Sequence, residues 1–174
     1  MYRIDYTPYK LRDFILFENV NWEFLSKNPN AIEMLEKNQD KIIWGFLCLN
    51  KNAIHILEKN IDKIDWFWLS ENENAIELLE KNIDKIYWCQ ICRNKNAIKL
   101  LENNLDKINW EWLSCNPNAV NLLKSNFNKV NWYALSCNYN SIDLLEKNIE
   151  KIDWESLSIN KNAIHLLKSN LENV

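Results

Sequence analysis

The chain has 174 residues, enough for one domain, and its 47 % hydrophobic and 26 % charged content excludes a disordered segment. A net charge of −3 excludes the strongly basic balance of an electrostatically driven binder of nucleic acid or anionic membranes. One glycine and three prolines leave few conventional turn formers, so another residue type has to turn the chain.

In chain order, residues 1–19 read as an N-terminal cap. Residues 2–6 alternate and allow a short extended segment. Thr7 suits a helix N-cap with Pro8 at the first helical position, and that helix is expected to run to about Glu18 and stop at Asn19. The opening Met-Tyr-Arg-Ile-Asp-Tyr lacks the charged region and apolar core of a secretory leader. No apolar run approaches the ~18 residues of a membrane span.

From Val20 onward the sequence repeats every 22 residues without a slip. Trp22, Trp44, Trp66, Trp88, Trp110, Trp132 and Trp154 mark the period, and the columns beginning at Asn28 and Leu35 keep it. Seven contiguous units fill residues 20–173, and residues 20–174 are read as one solenoid domain. Within a unit, Asn21 precedes Trp22 as an N-cap, a place also taken by Asp65, Asn109, Asn131 and Asp153. Trp22, Leu25 and Ser26 then share one face of a short first helix of about two turns. Asn28 reads as the N-cap of a second helix, with Pro29 and Pro117 at the following position. Ala31, Ile32, Met34 and Leu35 form its apolar stripe, and Glu33, Glu36 and Lys37 its polar face. Asn38 is expected to end it in the left-handed conformation that glycine usually takes, with the next, mostly apolar position (Ile61, Ile83, Leu105) folding back as in a Schellman motif. The recurring Asn30 column is expected to bond between neighbouring units. No unit buries both stripes alone, so stacking supplies the core. The expected fold is all-α, an α-solenoid of two-helix repeats.

The unit Trp-x-x-Leu-Ser-x-Asn-x-Asn-Ala-Ile-x-x-Leu resembles the short helical repeats of uncharacterised proteins from mimivirus-like giant viruses. The resemblance covers residues 20–174 and rests on Trp22, Leu25, Ser26, Asn28, Asn30, Ala31, Ile32, Leu35, Asn38 and their successors. Departures are Ile91 for Leu, Cys48 and Cys92 for Ser, and Ser141 for Ala; Ile43 and Tyr87 replace the Asn21 cap. The resemblance implies a viral interaction protein and carries no catalytic residues.

Chemistry-bearing residues are sparse. Five cysteines, an odd number, without a leader point to reduced thiols inside a cell, in host cytoplasm or a virion. Cys89 and Cys92 form a C-x-x-C without a second pair or a nearby histidine, so a small buried residue is the expected role of Cys92 and no metal is expected. The Trp column reads as core. Lys41, Lys63, Lys85, Lys107, Lys129 and Lys151 make a row, but Asp40, Asp62, Asp84, Asp106 and Glu150 precede most of them and cancel the field. No catalytic residue and no cofactor is indicated.

What varies against the fixed frame is the outward side of the first helices, the positions of Glu23, Phe24 and Lys27 and their successors. Phe46, Leu49, Phe67, Trp68, Gln90, Arg93 and Trp112 are the candidate partner-binding residues, because a solenoid encodes its partner where its units differ. The same aromatics could instead pack between adjacent first helices. The expected function is a non-catalytic protein-binding scaffold for a viral or host partner. The alternative is a repeat-type nucleic-acid binder using the Lys row. The C-terminal edge near Ile159, His165 and Leu171, with no obvious cap, could join two copies end to end as a homodimer.

Overall fold

A computed structural model describes residues 20–170. The expected N-terminal cap and Leu171 lie outside the described residues. The described part is all-helical, with no strand, and its seven units stack in order as an α-solenoid. First helices span Trp22–Lys27, Trp44–Cys48, Trp66–Glu71, Trp88–Ile91, Trp110–Ser114, Trp132–Cys137 and Trp154–Leu157. Second helices span Ile32–Lys37, Ile54–Glu58, Ile76–Glu80, Ile98–Glu102, Val120–Ser125, Ile142–Glu146 and Ile164–Ser169. A 3-10 turn such as Gln39–Lys41 or Ile83–Lys85 closes each of the first six units, an element the apolar periodicity does not announce. First helices of successive units lie side by side.

At 4 to 6 residues, every helix is shorter than the two turns expected of the first, and far below the length that survives alone in water. Stacking therefore makes the helices. Leu47, Leu69, Ile91, Leu113, Leu135 and Leu157 from the first helices meet Leu35, Leu57, Leu79, Leu101, Leu123 and Leu145 from the second, all fully buried. Each is worth about 1.5–3 kcal/mol of burial. Alanines of the Ala53 column are also fully buried, where second-helix starts approach the neighbouring unit. Ser141 replaces one of them, and its hydroxyl lies 2.6 Å from the Asn138 carbonyl and 2.8 Å from that of Leu135.

The first-helix caps agree with the sequence. Asn21, Asp65, Asn109, Asn131 and Asp153 each accept from a backbone N–H in the first turn, whereas Ile43 and Tyr87 supply no side-chain cap. Two other asparagine roles need correction. Asn28 does not cap the second helix; that helix starts after Ala31 without a side-chain cap. Asn28 opens a turn instead: its Oδ1 accepts from Asn30 N at 2.9 Å and its carbonyl from Ala31 N at 3.0 Å. Pro29 suits this turn's second position, which prefers a fixed φ near −65°. Nor does Asn38 adopt the left-handed conformation. Its φ is −133°, and among the described residues no backbone φ is positive. Its side-chain amide donates to the Met34 carbonyl at 2.8 Å, and Asn60, Asn82, Asn104, Asn126, Asn148 and Asn170 repeat the bond four residues back. A side chain thus does what the Schellman backbone would have done. The apolar residue that follows starts the 3-10 turn, so Ile83, Leu105, Phe127 and Ile149 stand exposed in a row.

The Asn28 column is the polar spine of the stack. From Asn50 onward each member is buried and donates its amide twice to the preceding unit. Asn94 Nδ2 reaches the Ser70 carbonyl at 3.1 Å and the Asn72 carbonyl at 2.9 Å. The same pair of bonds is made by Asn50, Asn72, Asn116, Asn138 and Asn160. The Asn30 column adds the expected inter-unit bond, as from Asn96 Nδ2 to the Glu73 carbonyl at 2.9 Å. Ser26, Ser70, Ser114 and Ser136 add a fourth, their Oγ accepting from the backbone N–H at the start of the next unit's first helix at 3.0–3.1 Å. At the other two interfaces Cys48 and Cys92 take this place, accepting from the backbone N–H of Asp65 and Asn109. Among the described residues no buried side-chain nitrogen or oxygen lacks a partner.

Candidate functional site

The frame fixes which side chains remain for a partner. Leu25 and Ser26 positions turn inward, so the Glu23, Phe24 and Lys27 positions of the first five first helices face outward as adjacent strips, whereas Ala134 and Ser156, at the Phe24 position of the last two, are buried. Of the seven candidates, Phe46, Leu49, Phe67 and Gln90 are half-buried, while Trp68, Arg93 and Trp112 are exposed. The structure brings four of the seven together, in two groups; Phe46, Leu49 and Gln90 belong to neither. In the first, Phe67 meets Trp68 edge-to-face with ring centres 5.0 Å apart, and meets Tyr87 of the next unit at 5.6 Å. In the second, the Arg93 guanidinium lies 5.2 Å from the centre of the Trp112 ring, with Nη1 3.3 Å from Glu71 Oε1.

Trp68 both packs and presents. A Cβ added to Gly45 of the preceding unit would lie 3.6 Å from its Cδ1, ordinary van der Waals contact, so the indole edge packs beside Gly45. Yet 39 % of Trp68 and 40 % of Trp112 stay open to solvent. Exposure and inter-unit packing thus coexist in Trp68. Tyr87, 53 % exposed, and Tyr133, 63 % exposed, extend the aromatic strip beyond the seven candidates. The sequence signal for Tyr87 is its break in the Asn/Asp cap column, which by itself speaks only of a lost cap.

The electrostatics of this side are acidic. Its outward positions hold Glu23, Glu71, Glu111 and Glu155 against Lys27 and Arg93, a formal charge of −2, and the cap residues Asp65 and Asp153 at the rim bring it to −4. Backbone and hydroxyl hydrogen bonds from Ser156 hold the Asp153 carboxyl below its usual range, keeping it ionised. Four of the six lysines of the Lys row lie over aromatic rings. Lys63, Lys85 and Lys107 lie 4.6–5.0 Å from the ring centres of Trp44, Trp66 and Trp88, and Lys151 bridges Phe127 and Trp132. These Trp residues are half-buried against the core rather than enclosed by it, and the lysine ammonium groups lie over their rings.

The cysteines split by side. Cys89 is exposed with its Sγ 3.7 Å from Asn109 Nδ2, whereas Cys92 is buried and donates to the Trp88 carbonyl at 3.0 Å. The C-x-x-C thus points two ways. Burial pushes the Cys48 and Cys92 thiols up to about 11. Among the described residues no three His, Cys, Asp or Glu side chains are placed to hold a metal ion, and no helix is long and apolar enough to cross a membrane. His55 and His165 each reach back to a glutamate of the preceding unit, Glu36 at 3.0 Å and Glu146 at 2.8 Å.

Comparison with protein-family models, curated proteins and solved structures finds no match.

Proposed function

We propose that this protein is a non-catalytic scaffold that binds another protein along the outward side of its first helices, centred on units three to five. The observation that carries the reading is the pair of exposed aromatic groups, Phe67–Trp68–Tyr87 and Trp112–Arg93, on the side where units differ. Large aromatics and arginine, partly open and held in place by neighbours, are the residue types that dominate protein interfaces. Repetition works against catalysis, which needs singular groups in a pocket; here most side chains recur every 22 residues in a structural role. The acidic charge of the strip and the stacking of the Lys row on Trp faces favour a protein partner over nucleic acid. With the resemblance of the unit to giant-virus repeats, the partner is a viral or host protein met inside the infected cell.

The test is a crosslinking pull-down from infected cells with the parent protein and a Trp68→Ala/Trp112→Ala variant, paired with melting curves of both. The reading expects a partner captured by the parent and lost by a variant that still folds. Equal capture by both would place the binding surface elsewhere.

A further inference from the structure

The strip contains a cation already seated in it. Arg93 is held between the face of Trp112 and the carboxylate of Glu71, one unit on each side of its own. That arrangement joins a π face, a carboxylate and partial exposure, and it shows what kind of group this surface accommodates. Two units earlier the position equivalent to Arg93 is Leu49, so Trp68 has no guanidinium from its own chain at that place. The position equivalent to Glu71 is Lys27, so the carboxylate beside Trp68 comes from a different place, Asp65. Asp65 spends Oδ1 on the backbone N–H groups of Phe67 and Trp68, while its Oδ2 and the Trp68 indole edge converge over Gly45, each within 3.9 Å of where a Cβ would stand. Gly45 is the one glycine in the chain, and every other unit carries a side chain at this position.

From this juxtaposition, and the formal charge of −4 on the strip, we propose that the partner docks through a basic peptide segment. One of its arginine side chains stacks on Trp68 beside Asp65, as Arg93 stacks on Trp112 beside Glu71. This rests on the scaffold reading and names the chemistry of its partner. Complementary charge selects a cationic segment and rejects polyanions. The aromatic faces add the apolar contact that charge alone lacks at an exposed site.

The experiment uses fluorescence anisotropy with a labelled twelve-residue peptide of repeating Arg-Leu-Ser. Its isosteric form with every arginine replaced by neutral citrulline, and a twenty-nucleotide single strand of thymidines, complete the set. The arginine peptide is expected to bind at least tenfold more tightly than either. Trp68→Ala should weaken it roughly 3- to 30-fold, the range of a cation–π contact. Asp65→Asn should weaken it roughly 2- to 5-fold, as for an exposed ion pair. Asn is the native cap at the matching position of units one, five and six, so this variant keeps its cap and should melt as the parent does. Equal binding of the citrulline peptide, an unchanged affinity of Asp65→Asn, or tighter binding of the oligonucleotide overturns the proposal. If a pulled-down partner depends on Trp68 and Trp112 but ignores Asp65→Asn and the arginine peptide, the scaffold reading stands and the basic-segment proposal falls.

Discussion

Replacing Asn94 with alanine removes one rung of the asparagine spine at the middle of the stack. Asn94 is 1 % exposed. Its amide donates to the carbonyls of Ser70 and Asn72, and its Oδ1 accepts from Asn96 N at 3.0 Å. Three hydrogen bonds are lost at about 1 kcal/mol net each, and two buried carbonyls lose a donor at a further cost. The Asn72 carbonyl keeps one partner, the backbone N–H of Ala75 at 3.1 Å, which limits that cost. Together these give a destabilisation of about 3–5 kcal/mol, located between units three and four. Asn96→Ala is the control. It is exposed and gives up only its bond to the Glu73 carbonyl, so about 0.5–1.5 kcal/mol is expected. The assay is urea unfolding followed by circular dichroism, with amide hydrogen exchange to resolve units, since a repeat stack can lose cooperativity at one weakened interface. An Asn94→Ala variant within about 1 kcal/mol of the parent would refute the view that buried amides, and not only leucines, hold the units together.

Leu101→Ala empties a fully buried site and should cost about 2–5 kcal/mol by denaturant melt. Trp88→Ala or Trp110→Ala, at half-buried positions, should cost about 2–3 kcal/mol, below the roughly 3–5 kcal/mol of a fully buried aromatic; melts that match the parent would remove the Trp column from the packing. The thiols of Cys48 and Cys92 ionise in the folded chain only near pH 11, above the ordinary thiol range, so their neutral forms favour folding. That stability is present below about pH 9 and declines as pH rises towards 11, where the unfolded thiols ionise first. A Cys48→Ser/Cys92→Ser variant, carrying the residue native to this column, should flatten the decline, and maleimide at about pH 7.5 should label Cys89 well before Cys92. Duplex DNA should not bind tightly at about 150 mM salt, since the outward charges of the second helices sum to −1.

The period of 22 makes the solenoid, the unit boundaries and the leucine core readable from the sequence alone, because burial repeats where apolar residues repeat. Local caps read well too: Asn21 and its successors act within three residues of themselves. The spine does not read. Asn28 and Asn50 share a column, but that one donates to the other's carbonyl depends on how far the units slide past each other, which a period does not state. An asparagine before a helix therefore looks like a cap when it is a bolt. The left-handed stop expected of Asn38 fails for a related reason. An amide four residues on can close the helix end itself, and sequence does not distinguish that from a turn of the backbone. At the candidate site, variability locates the strip, while the pairing of Arg93 with Trp112 and the notch at Gly45 come only from neighbouring units being placed side by side.

The amides of the spine all reach the same way, from each unit to the one before it in the chain. A growing polypeptide therefore synthesises acceptors first and donors 22 or 24 residues later. Each emerging unit brings its own fasteners and finds the matching carbonyls already made. Contacts of such short sequence separation close quickly, so the stack can lengthen in step with translation, one unit at a time and in one direction.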